Sequence, residues 1–133
     1  MLLLEQPRRL STDIDIIVTP GTEIEHYLDE AGKIFPFKKL ERQIRKGKNS
    51  IEKRHYKCYY DSPLKSEAPF YILLDILFEE NHYSKIIQKP IKNDLIITEE
   101  PYYEVRVPSI DCILGDKLTA FAPQTTGIPF GVD

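Results

Sequence analysis

The sequence predicts an α+β fold, because strand-like and helix-like segments both occur along its 133 residues. Residues 10–18 and 70–78 are rich in branched and aromatic apolar side chains, which is typical of buried strands. Residues 22–32 and 109–122 instead repeat apolar side chains at helical intervals. The length predicts a single domain over residues 1–133.

The first half of the chain predicts one strand and two helices. The strand over 10–18 is closed by a Thr-Pro-Gly turn. Residues 22–32 predict an amphipathic helix, because Thr22 and Glu25 have capping-box spacing. Residues 37–46 predict a second, basic helix, whose apolar side chains lie on one side and whose Lys and Arg residues lie on the other.

The second half predicts strands followed by a helix. Ser109 is the expected N-cap of that helix, with Asp111 in its first turn. In chain order, the predicted elements are a half-exposed strand over 52–60, a central strand over 70–78, a weak hairpin of 84–91 with 94–98, a strand over 102–107 and the helix over 109–122.

The composition predicts an ordinary soluble globular protein. Hydrophobic residues make up 41% of the chain and charged residues 29%. The longest apolar run, 70–78, is far shorter than the roughly 20 residues of a membrane span. The first residues lack the cationic leader of a signal peptide, and Cys58 and Cys112 have no metal-site spacing. We therefore expect a cytoplasmic protein with free thiols and no membrane contact.

Three acidic residues have the pattern of a carboxylate metal site. Asp13 and Asp15 are two positions apart in a predicted strand, so both side chains share one face about 6–7 Å apart. Asp75 interrupts the apolar run 70–78, where an ionised side chain is costly unless it is paired or binds a cation. If the two strands are neighbours, the three carboxylates suit Mg²⁺.

Each acid also has a structural alternative. Asp13 is able to cap a turn, and Asp15 is able to pair with Arg9. Asp75 is able to form a buried ion pair with Arg106. The residues alone leave both interpretations open.

Positive charge is concentrated in residues 38–57, although the net charge of the chain is −3. Such a segment either binds a polyanion or forms a solvated surface. It holds nine of the 18 Lys and Arg residues, namely Lys38, Lys39, Arg42, Arg45, Lys46, Lys48, Lys53, Arg54 and Lys57. His26, His55 and His82 show no ligand spacing and are expected at the surface, with His55 a possible contact in the basic segment.

The acidic motif carries a resemblance to a known family. Arg9-x-Ser11-x-Asp13-Ile-Asp15, the later Asp75 and the segment Lys117-Leu-Thr-Ala120 follow one another in the chain. This order resembles the AbiEii-type nucleotidyltransferase toxins of the DNA-polymerase-β-like superfamily. That family is the toxin half of type IV toxin–antitoxin and abortive-infection systems.

The resemblance implies a fold and a set of site residues. The fold is a mixed-sheet nucleotidyltransferase palm flanked by helices. Asp13, Asp15 and Asp75 would be catalytic and would hold Mg²⁺ or Mn²⁺ around a nucleoside triphosphate, or NTP. Lys117 would be catalytic and bind the phosphates as a point charge, although such a lysine is also able to snorkel from a core edge. Arg9 and Ser11 would support the acidic strand or the nucleotide.

The implied activity is metal-dependent nucleotidyl transfer from an NTP to an RNA or protein hydroxyl. For relatives the acceptor is often the 3′ end of a tRNA, and the basic segment Lys38–Lys57 would hold it here. An antitoxin protein is the other implied partner.

Two features of the family pattern are missing from the chain. Relatives carry a Gly-Gly-Ser/Thr turn before the acidic strand, and residues 1–6 look like the end of the helix that follows it. Gln124 stands where relatives carry an Arg, before a further Asp-rich motif. The chain is thus expected to be truncated at both ends. The competing expectations are an active transferase, an inactive nucleotide- or partner-binding remnant, and a metal-dependent nuclease.

Overall fold

A computed structural model of the chain describes residues 2–4, 6–43 and 51–121, without the side chains of 65–68 and 121. The described residues form two compact units. One unit is 11–81, and the other joins the described parts of 1–10 and 82–133. Helices and a mixed sheet occur together, which confirms the α+β class. The expectation of a single domain stays a prediction.

The unit of residues 11–81 is built on a four-stranded mixed sheet. Its strands are β1 (Asp13–Val18), β2 (Phe37–Gln43), β3 (Glu52–Ser62) and β4 (Lys65–Phe78). The sheet order is β1-β4-β3-β2, with β1 parallel to β4 and the other pairs antiparallel. The apolar run 70–78 is therefore part of an internal strand, as predicted.

A tight turn links β1 to the first helix, α1 (Glu25–Ala31). The Thr22 amide donates to the Thr19 carbonyl at 3.1 Å, and Gly21 has a φ of +83°, a region that glycine adopts without steric cost. The helix exists as predicted but begins at Glu25, so Thr22 as its cap is wrong. The Thr22 hydroxyl instead donates to the Thr19 carbonyl at 2.6 Å and closes the turn.

The hydrophobic core of this unit lies between α1 and one face of the sheet, which we name the core face. Ile24 and Leu28 of the α1 region pack against Tyr56, Ile76 and Phe78. Ile76 is only 2% exposed. Because strand side chains alternate, the neighbouring positions of β3 and β4 point to the opposite face.

The prediction of a basic helix over 37–46 is wrong for the described residues, which form β2. Phe37 and Leu40 both lie on the partly buried side although they are three positions apart. A register shift between Phe37 and Lys39, of the kind a β-bulge produces, breaks the two-residue alternation. Because of the bulge, the apolar residues of β2 are spaced as they would be in a helix. Residues 44–46 of the predicted helix lie outside the described residues.

The second unit contains a two-stranded antiparallel sheet, of β5 (Ile86–Pro90) and β6 (Glu104–Pro108). The predicted hairpin of 84–91 with 94–98 is wrong, because β5 pairs with β6 across a longer loop. Asn93 starts a turn in which its side-chain oxygen accepts from the Leu95 amide at 2.8 Å. That local bond takes a backbone donor that a strand over 94–98 would need.

The helix predicted after Ser109 is present as α2 (Ile110–Phe121). The Ser109 carbonyl accepts the first helical bond, from the Ile113 amide at 3.1 Å, which confirms Ser109 at the N-cap position. Ile110, Leu114 and Leu118 of the predicted apolar stripe are exposed. Within the described residues, neither helix is long and apolar enough to cross a membrane.

Candidate functional site

The three predicted carboxylates lie on adjacent strands of the sheet. Asp15 of β1 stands directly opposite Asp75 of β4 in the parallel register. Asp13 is two positions before Asp15 and opposite Leu73, so alternation places all three acids on one face. Ile14, Ile16 and their β4 partners Leu74 and Ile76 occupy the other face. We name the face of the acids the acidic face.

Local hydrogen bonds shape the start of β1. The Ser11 hydroxyl donates to the Asp13 carbonyl at 3.0 Å and accepts from the Asp13 amide at 3.2 Å. The Thr12 hydroxyl donates to Oδ1 of Asp13 at 3.4 Å. Ser11 therefore bonds to the backbone at the start of the acidic strand, and its role in the site stays a prediction.

Asp75 has a histidine partner that no motif in the sequence indicates. His55 of β3 is its register partner, and Nδ1 of His55 lies 2.7 Å from Oδ1 of Asp75. A carboxylate only accepts hydrogen bonds, so Nδ1 donates. The His55 side chain is 15% exposed and the Asp75 side chain 36%. His55 is thus a half-buried part of the acidic face.

The only sequence feature that points to this contact is the alternation of apolar and polar residues along β3. His55 precedes Tyr56 and Cys58, whose buried side chains put His55 and Lys57 on the opposite face of β3. Nothing in the spacing of the chain sets the register that brings His55 beside Asp75.

The carboxylates fit a divalent cation in chemistry and in strand position, but their side chains do not converge. Within the described ranges, no group of three or more His, Cys, Asp or Glu residues is arranged to hold a metal ion. Asp75 bonds to His55 on β3, whereas β1 lies on the other side of β4. Its second carboxylate oxygen is still able to act as a ligand while the first keeps the His55 bond.

The described basic residues of the segment 38–57 are divided between the two faces of the sheet. On the core face, Arg54 binds Glu25 and Glu52 and lies 4.4 Å from the centre of the Phe78 ring. These contacts, led by the Glu52 hydrogen bond, raise the pKa of Arg54. The resulting ion pairs join α1 to β3, so Arg54 has a structural role.

On the acidic face, two of the basic residues lie beside aromatic rings. Nζ of Lys57 is 4.5 Å from the centre of the Tyr71 ring, and Nζ of Lys39 is 5.6 Å from that of Tyr59. Lys39 also bonds to Glu41 at 2.8 Å, which lowers the pKa of Glu41 and raises that of Lys39. Only part of the predicted basic surface therefore shares a face with the acids.

The remaining predicted site residues belong to the other compact unit. Lys117 is an exposed residue of α2. Arg9 is exposed, and its guanidinium donates to the Leu10 carbonyl at 3.4 Å. Within the unit of residues 11–81, the structure places Asp13, Asp15, Asp75 and His55 on one face of the sheet.

The fold and the acidic face define a class of protein. Acids on neighbouring strands of a mixed sheet are the donors that metal-dependent phosphoryl and nucleotidyl transfer requires. A family model described as nucleotidyl transferase AbiEii toxin, type IV TA system, matches residues 1–127. The chain therefore belongs to this family of nucleotidyltransferase toxins, which confirms the resemblance. Neither the search of curated proteins nor that of solved structures found a match.

Proposed function

We propose that the chain is a metal-dependent nucleotidyltransferase that acts as the toxin of a type IV toxin–antitoxin system. The observation that carries the proposal is the register of β1 against β4, which sets Asp15 opposite Asp75 with Asp13 on the same face. Family membership supports an NTP as the substrate and an antitoxin as a protein partner. The proposed site of action is the cytoplasm.

Asp13, Asp15 and Asp75 are the proposed ligands of Mg²⁺ or Mn²⁺. Three carboxylates provide the hard oxygen donors that these cations prefer. When bound, the cation would neutralise charge on the triphosphate and on the departing pyrophosphate. Ser11 supports this arrangement, because its two bonds to the Asp13 backbone fix the start of the strand.

The proposed reaction transfers a nucleoside monophosphate. The oxygen of an acceptor hydroxyl forms a bond to the α-phosphorus of the NTP, and the bond from that phosphorus to the oxygen of the β-phosphate breaks. Pyrophosphate leaves, and the hydroxyl proton passes to a carboxylate. Asp75 is the candidate proton acceptor, because it is the half-buried acid on the internal strand.

His55 is proposed as a positioning residue for Asp75. Its hydrogen bond, at 2.7 Å, fixes one oxygen of the carboxylate and leaves the other able to face β1. Partners of this kind orient the groups that bind a metal.

Lys117 and Arg9 are proposed from the family resemblance alone. Lys117 would bind the phosphates as a point charge, and Arg9 would support the nucleotide or the acidic strand. The proposed acceptor is an RNA hydroxyl, as at the 3′ end of a tRNA, or a protein hydroxyl. Lysines of the segment 38–57 that lie on the acidic face favour the RNA.

A transfer assay tests the proposal. The full chain is incubated with Mg²⁺, each of the four NTPs labelled on the α-phosphate, and total tRNA or total protein. We expect label to appear in one acceptor fraction. Replacing Asp13 and Asp15 together by Asn removes two ligand charges at nearly constant size, so transfer should fall by at least about 100-fold. Asp29→Asn, at an exposed position of α1, is the matched control and should leave transfer intact.

Other results would contradict the proposal in distinct ways. Label that survives the Asp13 and Asp15 substitutions would remove these acids from the site. NTP binding by folded protein without transfer would show a nucleotide-binding function instead. Shortening of RNA in the absence of NTP would identify a nuclease.

A further inference from the structure

We infer that Tyr59 and Tyr71, together with Lys57, form a binding site for the unpaired end of an RNA acceptor strand. We name Tyr59 and Tyr71 the tyrosine platform. The inference rests on the proposed function, because it assigns contacts for the proposed RNA acceptor to the same sheet face. It adds aromatic residues that neither the motif nor the charge pattern indicated.

The platform is a pair of rings on adjacent strands. Tyr59 of β3 and Tyr71 of β4 are register partners, with ring centres 5.7 Å apart and ring planes inclined at 67°. Tyr71 is 39% exposed. Aromatic side chains displayed on a sheet are the common means by which proteins stack the bases of single-stranded nucleic acid.

Positive charge accompanies the rings. Nζ of Lys57 lies 4.5 Å from the centre of the Tyr71 ring. Because the lysine stem is flexible, its ammonium is able to move to a phosphate while a base takes the face of the ring. Glu41 is the register partner of Lys57 but bonds to Lys39, which lies over the Tyr59 ring. Among the described residues, Lys57 forms no ion pair, so it is the cation that we assign to a phosphate at the platform.

The platform is in line with the acids along the strands. Its residues are four positions from His55 on β3 and from Asp75 on β4, which is about 13 Å along a strand. Lys57, opposite Leu73, occupies the intermediate position on the same face. A strand whose base stacks on the platform would therefore pass Lys57 and bring its terminal hydroxyl toward Asp75.

The two tyrosine rings and the lysine together favour single-stranded RNA over an acidic peptide or a double helix. An acidic peptide would use the ammonium group but has no need of two rings. The bases of a double helix are already stacked on one another, so their faces are not free for tyrosine. A single strand offers both free base faces and phosphates.

Binding of a fluorescein-labelled, single-stranded RNA oligonucleotide of mixed sequence, followed by anisotropy without NTP or metal, tests the inference. We expect Tyr59→Leu and Tyr71→Leu each to weaken binding by about fivefold to 150-fold, the range found when a stacking ring is removed. Tyr59→Phe and Tyr71→Phe keep the ring and should retain affinity. Tyr27→Leu is the matched control, because Tyr27 is an exposed tyrosine of α1.

Salt dependence provides a second measurement. Lys57→Gln should reduce the slope of log affinity against log salt by about 0.7, the value for one phosphate contact with a single strand. Duplex RNA of the same sequence should compete poorly. Thermal unfolding of each variant establishes that it is folded.

The outcomes separate this inference from the proposed function. Failure of the full chain to bind single-stranded RNA, or equal binding by the Tyr and Leu forms, overturns the platform even when nucleotidyl transfer is observed. Tyrosine-dependent RNA binding without transfer upholds the platform and overturns the enzyme. A raised KM for NTP with unchanged RNA affinity would assign the rings to the nucleotide base and also overturn the inference.

Discussion

The two faces of the four-stranded sheet are made from the same strands but have opposite chemistry. The core face packs Tyr56, Ile76 and Phe78 against α1. The acidic face presents Asp15 and Asp75 on the same β1 and β4 strands. Because alternate residues point to opposite faces, each strand contributes to stability on one side and to the candidate site on the other.

This difference separates folding from function within single strands. Ile76 and Asp75 are adjacent in β4, yet one is 2% exposed and the other is half-exposed and bonded to His55. A substitution at one position should affect stability, whereas a substitution at the other should affect activity. Paired substitutions therefore test whether the two faces are as independent as their geometry suggests.

The largest effect is expected on the core face. Ile76→Ala leaves a cavity beneath α1 and should lower the free energy of unfolding by about 2–5 kcal/mol. Ile16→Ala is the matched control, because Ile16 is the register partner of Ile76 on the same face but is 38% exposed. Its cost should be about two-thirds as large, in proportion to the smaller buried area.

Urea unfolding followed by circular dichroism measures both values. Equal losses for Ile76→Ala and Ile16→Ala would contradict the burial difference between β1 and β4. Transfer measured well below the unfolding midpoint should be unchanged in both variants, since neither side chain lies on the acidic face.

An intermediate effect is expected at His55. His55→Leu removes the donor to Asp75 and should reduce activity or the apparent affinity for Mg²⁺ by about 10- to 100-fold, as is usual for residues that orient metal ligands. His55→Asn places an amide N–H near the position of Nδ1 and should restore part of that loss.

The Mg²⁺ concentration at half-maximal activity is the informative readout, because a merely structural role would not move it. His26→Gln, on α1, is the control histidine. His55 does not position Asp75 if folded His55→Leu protein has the same half-maximal Mg²⁺ concentration and the same kcat as the unaltered protein.

The placement of the three acids on one face of the sheet was predictable from the sequence, and the reason is local. Asp13 and Asp15 are related by the two-residue period of a strand, and Asp75 stands out as a charge within an apolar run. The contact with His55 depends instead on the register of β3 against β4, 20 residues apart in the chain. Strand register is set by tertiary pairing, so the position of one histidine in the sequence does not predict which residue it faces.

The fold shows the same contrast between elements that local sequence predicts and strand pairings that it does not predict. Most strands and both helices follow from the periodicity of apolar residues. The strand β2 has the apolar spacing of a helix, because a register shift places Phe37 and Leu40, three positions apart, on the same face. The partner of β5 was also misassigned, since the Asn93 turn directs the chain into a loop before β6. The first error occurs where strand pairing overrides the local pattern, and the second occurs where a local turn replaces the expected strand.

The smallest effect concerns the two cysteines, of which Cys58 is buried and Cys112 is half-buried. Cys58 lies on the core face, is 8% exposed, and its burial raises its thiol pKa. The pKa of the Cys112 thiol is lowered, chiefly by hydrogen bonds from Ser109 and Ser84. A lower pKa gives more thiolate at a given pH, so Cys112 should be alkylated faster and reach its full rate at lower pH than an ordinary thiol of pKa about 8.5.

Iodoacetamide labelling of Cys58→Ser and Cys112→Ser variants, measured by mass spectrometry across pH, isolates each thiol. Ser84→Ala should shift the midpoint of Cys112 labelling toward higher pH, because a hydrogen bond to the thiolate is lost. Cys58 should react slowly until the core face opens, so adding Ile76→Ala to Cys112→Ser should accelerate its labelling. Rapid labelling of Cys58 in otherwise unaltered protein would mean that α1 does not keep the core face covered, and the contrast between the two faces would then fail.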